Sequence, residues 1–270
     1  MLIIKPNKHF GIDVKELWFY RELFYFLAWR DIKVRYKHMI LGIGWAVLQP
    51  LLTMVVFTFI FNKIGGISSG KVPYILFSFT GLVFWNYFSS ALSDVSNSFV
   101  ANQSILTKVF FPRLIIPISA TIVPVVDFFF SFVVLFFLLL FFHISINLLG
   151  LFTIVLLLML SILTAIGLGG ILSILNVKYR DIRYALPFFI QLLLFITPVI
   201  YSVNLIPRKF QLFLYINPMT GVIETARAVL FHQYQINLLG LLISIVSSCV
   251  LLLLGILFFA RYEQEIADII

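Results

Sequence analysis

Between Asp127 and Lys178 the chain carries no Asp, Glu, Lys or Arg. No other feature limits the possible folds as strongly. A soluble domain cannot hide so long an uncharged run, and one membrane helix of roughly 20 apolar residues cannot use all of it. Composition agrees. The 270 residues are 62% hydrophobic and 11% charged, with a mean hydropathy of +1.10, whereas soluble domains are about one quarter charged. Polar surface is too scarce to coat a globule, so the chain reads as an all-α integral membrane protein. Cys249 is the single cysteine, which excludes an intrachain disulfide framework and a cysteine metal cluster.

Charge-free windows delimit six expected spans, at 39–61, 72–93, 114–142, 151–175, 184–203 and 236–260. Asp127 interrupts the third, and the stretch HISINLLG at 143–150 separates the third from the fourth. The expected organisation is an N-terminal segment at 1–38, one six-helix transmembrane unit at 39–260 and a tail at 261–270. Of the 19 Lys and Arg residues, only Lys63, Lys71, Arg208, Lys209 and Arg227 fall on the side opposite the termini. The positive-inside rule therefore puts both termini in the cytoplasm of a multi-pass plasma-membrane protein.

Three polar stretches exceed what simple connections need. Residues 13–29 mix charge with Trp, Tyr and Phe, as a helix lying in the membrane interface would. Residues 97–113 form a cytoplasmic connection of helical length. Residues 204–235 form an external excursion of two short helical pieces divided near Asn217-Pro218, apolar yet too short to span, as in a re-entrant or interfacial hairpin.

Two motifs are decoys. Gly65 to Lys71 matches the first seven positions of a phosphate-binding loop, but Val72 lacks the hydroxyl for magnesium and no strand precedes it. Asn102-Gln103-Ser104 fits a glycosylation acceptor but falls on the cytoplasmic side. The four histidines are scattered, with no paired acids or metal-binding spacing. Catalysis by this chain alone is not expected, and energised work needs a partner.

Asp127, mid-span, is costly at that depth. It lines a pathway, or it is a buried acid satisfied by Ser and Thr hydroxyls or held protonated. Trp45, Trp85, Tyr87 and Tyr201 combine a flat face with a polar handle. They suit a pathway along which sugar rings slide, or an ordinary interfacial belt. Arg30-Asp31-Ile32-Lys33 and Arg180-Asp181-Ile182-Arg183 each precede a long apolar run. On a helix Asp31 and Arg35 stand at the favourable acid-first spacing, while Arg30, Lys33 and Lys37 share another face. Such basic faces anchor topology and attract anionic head groups, at about 1 kcal/mol per residue. Arg30, Lys33, Arg35, Lys37, Arg180 and Arg183 are the candidate entrance for a phosphate-bearing lipid.

LAWRDIKVRYKHMILGIGWAVLQPLL, LTKVFFPRLIIPIS, NVKYRDIRYALPF and INPMTGVIETAR occur in that order. In this they resemble the membrane subunit of type 2 ABC transporters that export polysaccharides or polyol phosphates. The resemblance runs from about Trp18 to Ala260. It implies a homodimer of six-helix subunits paired with two copies of a separate ATP-binding subunit, which would hold ATP and magnesium. This chain would bind no cofactor and no nucleic acid. The resemblance also implies a coupling helix docking on that ATPase, with Asn102, Leu106, Lys108 and Arg113 as its residues. External gate helices would carry Tyr215, Asn217, Pro218, Glu224 and Arg227. The substrate would be a lipid-linked polysaccharide of the undecaprenyl-pyrophosphate type, such as the O-antigen of lipopolysaccharide, crossing the bacterial inner membrane between two protomers. A type 2 permease for a drug or other small molecule, or a membrane scaffold for polysaccharide assembly that moves nothing, stays open beside it.

Overall fold

The computed structural model describes residues 14–37, 44–70, 72–109, 111–145, 147–179, 181–231 and 235–269. Two helices, α1 (Val14–Phe19) and α2 (Arg21–Lys37), precede the bundle. α2 runs past the expected end at Trp29, because residues 30–37 contain no Gly or Pro to stop it. α3 (Gly44–Phe57) accommodates a buried Pro50 and continues as a π-helical stretch, Thr58–Ile64. Gly66 and Gly70 then turn the chain at φ 64° and 71°, a conformation open to glycine. The phosphate-loop look-alike is therefore a turn, and it leads into α4 (Tyr74–Ala101).

A single helical turn, α5 (Gln103–Leu106), follows α4. The connection expected at 97–113 is thus shorter, because α4 itself absorbs residues 97–101. Next, α6 (Ile115–Ala120) and α7 (Ile122–Phe141) join end to end at Thr121. α7 gives way to a turn in which His143 takes φ 55°. Asn147 starts α8 (Leu148–Lys178), its side chain accepting from the Leu149 N–H at 3.3 Å. The remaining helices are α9 (Ile182–Ile196), α10 (Arg208–Leu214), α11 (Pro218–Phe231) and α12 (Leu238–Ile269). Among the described residues no strand forms. The two short pieces expected on either side of Asn217-Pro218 are α10 and α11.

Five helical stretches are long and apolar enough to cross a membrane: Gly44–Ile64, Tyr74–Ala101, Ile115–Phe141, Leu148–Lys178 and Leu238–Tyr262. The protein is multi-pass. The span expected at 184–203 is different, because α9 has only 15 residues. That is a rise of about 22 Å, against a hydrocarbon core of about 30 Å. Thr197-Pro198 ends it. The residue before proline is forced toward extended backbone, and Thr197 lies at φ −76°, ψ 136°.

The chain nevertheless travels the length of the bundle here. α8 and α12 lie side by side and run the same way: Thr164 bonds Ser248 at 2.9 Å, and Lys178 lies over the Tyr262 ring. Gly150, at the start of α8, faces Val229 near the end of α11. Residues 182–231 therefore carry the chain from the Lys178 end back to the Gly150 end.

α4 is the central post. Of its most apolar stretch 78% is buried, against 11% for Gly44–Ile64 and 17% for Leu238–Tyr262. Those outer helices expose Leu52, Val56 and Phe59, or Leu242, Val246 and Leu253, as lipid-facing surfaces do. A second apolar cluster joins Leu27, Phe99, Ile115, Ile174 and Phe259. It places α2 and the far part of α12 at one end of the bundle.

Without a hydrophobic drive in lipid, helix contacts rely on close packing of small residues. A Cβ on Gly167 would stand 2.6 Å from the Leu251 carbonyl carbon, and one on Gly255 would stand 2.5 Å from the Gly167 oxygen. Gly170, one turn along, has nothing within 4 Å. Gly167→Ala is expected to destabilise the purified protein by about 1–3 kcal/mol. Gly170→Ala is expected to leave it unchanged or slightly more stable. Unfolding titrations of both variants in mixed micelles check the contrast.

Candidate functional site

Polar side chains gather at three places, and the expected entrance is divided between the first two. The first lies where α2 meets α4 and α7. Arg35 bridges Asp94 at 3.1 Å and Asp127 at 3.0 Å, and the Tyr36 hydroxyl donates to Asp127. Burial, and then the bond to Asp127, raise the Tyr36 phenol above its ordinary range, so it stays a neutral donor. The expected Asp31–Arg35 pair does not form. Asp31 is held by Arg30 at 2.7 Å instead, because two bundle carboxylates outcompete a local helix pair worth a few tenths of a kcal/mol. Asp127 is held by Arg35 and the Tyr36 hydroxyl rather than by the Ser or Thr hydroxyls expected.

Beside this cluster opens a cavity of about 310 Å³ among α2, α3, α4 and α7. It brings together Arg35, Trp45, Tyr87 and Asp127, with Gln49 and Asn86. Trp85 is not among them. It is 4% exposed and packs beside Phe88 in the core, one helical position from the cavity side. Tyr201 is remote as well, its hydroxyl donating to the Ile196 carbonyl at 2.8 Å. The proposed aromatic set is thus three separate environments.

The second place is the end that holds α5. Arg30 donates to the Asn102 side chain at 2.6 Å, tying α2 to the hinge between α4 and α5. Leu106, Lys108 and Arg113 line a recess of about 300 Å³ just beyond it. Asn176 of α8 donates to the Ser96 carbonyl and to the Asn97 side chain, both at 3.0 Å. Nearby, Lys178, Arg183 and Gln103 line a groove of about 630 Å³. Lys33 and Lys37 are exposed on α2, with the Lys33 ammonium 5.3 Å from the Trp29 ring centre. Arg180 lies outside the described residues.

The third place is the break after α9. Arg227 is 1% exposed and donates to the carbonyls of Pro198 (2.7 Å), Val199 (2.7 Å) and Phe77 (3.2 Å). It pairs with Glu224 at 2.9 Å and sits 3.5 Å from the Phe77 ring centre. Tyr74 takes the next carbonyl, Ile200, at 2.7 Å. Asn217 donates to Thr197 at 2.7 Å and caps α11 by accepting from the Met219 N–H at 3.1 Å, just ahead of Pro218 at the helix start. A Cβ on Gly81 would meet the Arg227 guanidinium at 2.7 Å. The expected gate residues do share one locality. Arg227, counted from sequence as an external charge, is instead a core residue. Tyr215 is buried against Gly240, and with Glu224 and Asn237 it lines a cavity of about 540 Å³.

Residues 22–231 match the family model described as ABC-2 type transporter. The chain belongs to that family. It is an ABC-2 membrane permease subunit rather than the ATPase subunit. The matched stretch begins in α2 and ends with α11, so it takes in all three polar sites. Among curated relatives, O-antigen export system permease protein RfbA of Klebsiella pneumoniae is 30% identical over 242 residues, 89% of this chain and 92% of its own. The protein of the same name from Myxococcus xanthus is 28% identical over 263 residues, covering 94% and 98%. Polysialic acid transport protein KpsM of Escherichia coli is 25% identical over 243 residues, covering 87% and 91%.

Removing one member of a buried, hydrogen-bonded charge pair leaves the other uncompensated. In this ABC-2 permease, Arg227→Met is expected to destabilise the fold by about 3–5 kcal/mol. Arg227→Lys should fall between wild type and Met, because an ammonium cannot reach three carbonyls and Glu224 together. Unfolding of the purified variants measures both.

Proposed function

We propose that this permease exports a lipid-linked polysaccharide across the bacterial plasma membrane, driven by ATP hydrolysis in a separate subunit. One observation carries the reading: likeness along nearly the whole chain to relatives named for O-antigen export and polysialic acid transport. O-antigen is the substrate favoured by the names of the better-matching relatives, and we take it to travel on an undecaprenyl-pyrophosphate carrier.

In this reading the permease works as a homodimer with two copies of the ATP-binding subunit, and the glycan passes between the protomers. Both termini face the cytoplasm. The distribution of Lys and Arg supports that, as does the shared end of α2 and α12. The chain crosses six times, with α9 and its stabilised break making the fifth crossing. The α4–α5 hinge and the recess at Leu106, Lys108 and Arg113 dock on the ATPase. The Arg30–Asn102 bond passes its motion to α2. Carrier phosphate is received by exposed cations, Lys33 and Lys37 on α2 and Arg183 in the α8–α9 groove, with Arg180 beside it in sequence. Arg35, which the sequence grouped with them, is given a different part in this reading, since it is ion-paired with two aspartates. The α10–α11 hairpin forms the outer gate.

Depleting the permease in a polymer-producing strain is expected to trap lipid-linked glycan inside the cell while surface polymer falls. Extraction of the carrier lipids, followed by glycan analysis, gives the readout. Surface polymer at its normal level, with altered drug sensitivity, would move the assignment to a small-molecule permease.

A further inference from the structure

The cavity beside Arg35 has a composition that the export reading does not yet use. Its volume of about 310 Å³ is at the small end of the roughly 300–1,000 Å³ found for small-molecule sites. The side chains of Gln49, Asn86 and Ser90 line it and make no hydrogen bond to another described residue. Tyr87 lines it too. That residue is 2% exposed, and its hydroxyl has no hydrogen-bond partner among the described residues. A buried phenol without a partner is unfavourable, and a ligand hydroxyl would complete it. Trp45 stands at the rim, 49% exposed, offering a flat face next to these polar groups.

Charge selects the ligand further. A single cation, Arg35, faces two carboxylates, Asp94 at 3.1 Å and Asp127 at 3.0 Å. Among the lining residues Arg35 and Asp127 offset each other, and Asp94 behind them takes up the rest of the guanidinium, so this wall offers no unpaired cation to a phosphate. We propose that the cavity among α2, α3, α4 and α7 binds one uncharged or amine-bearing sugar ring of the exported glycan. Amides and hydroxyls meet the ring's hydroxyls, Trp45 covers its C–H face, and the carrier phosphate stays outside at the exposed cations. The proposal rests on the export reading and names a site inside each protomer.

Photocapture in polymer-producing cells, with the ATP-binding partner present, tests it. Trp45→p-benzoylphenylalanine and, separately, Gln49→p-benzoylphenylalanine place the probe at the rim. Leu242→p-benzoylphenylalanine, on the exposed face of α12, is the control. Illumination is expected to attach glycan at position 45 or 49 and not at 242, seen as sugar-mass additions on the purified protein. Adding Tyr87→Phe, which keeps the ring and removes one hydrogen bond, is expected to lower the adduct about fivefold. No adduct from either rim position, equal capture at 242, an adduct indifferent to Tyr87→Phe, or one holding only carrier phosphate overturns the site. If depletion leaves surface polymer intact, the export reading fails and the site fails with it. If depletion blocks export but the rim captures nothing, the site alone fails.

Discussion

A guanidinium with almost no exposed surface holds the last third of this permease together. Proline at 198 ends α9 before it is long enough to cross a bilayer, and it leaves the carbonyls of Pro198, Val199 and Ile200 without helical donors. In an apolar surround each such group is costly. Arg227 takes two of them, Tyr74 takes the third, and Glu224 balances the charge. Gly81 leaves the space. Because these donors come from α4 and α11, the break, the central post and the α10–α11 hairpin are fixed as one unit. The return of the chain to the start of α12 depends on it.

A second cation works differently at the other end. Arg35 sits between two aspartates from α4 and α7 and fastens a helix that lies outside the five long apolar stretches. With Arg30 on Asn102, α2 is tied both to the bundle and to the α4–α5 hinge. Movement at that hinge reaches α2 directly. In the proposed transport cycle this bond carries motion from the ATP-binding partner to α2, beside the direct path along α4. The partition of cations matters for the same reason: those held by aspartates shape the bundle, and in the proposed cycle those left exposed are the ones that receive phosphate.

Much of this was legible in the sequence, and the exceptions have a common cause. Charge-free windows located the five long helices, four of them within about five residues and α4 short by eight at its end, and Asn217-Pro218 marked the division between α10 and α11. Both are local signals. Arg35 was misread because helix spacing reports only partners on its own helix, and the deciding carboxylates are Asp94 and Asp127, far along the chain. Arg227 was misread because loop counting treats every cation between spans as solvated, and nothing local announces two carbonyls freed by a helix break and a third on α4. Trp85 and Tyr87 show the same limit at finer scale. Their residue types are alike, yet two positions on one helix turn the first into the core and the second toward a cavity.

ATP-dependent movement of lipid-linked glycan in reconstituted vesicles tests the central claim most directly. The permease and its ATP-binding partner, inserted with cytoplasmic faces outward, should carry the glycan into the lumen, where an added glycosidase cannot reach it. ATP should be required, and a hydrolysis-deficient partner should abolish the protection. Hydrolysis that proceeds while the glycan stays open to digestion, or protection that appears without ATP, would contradict the account.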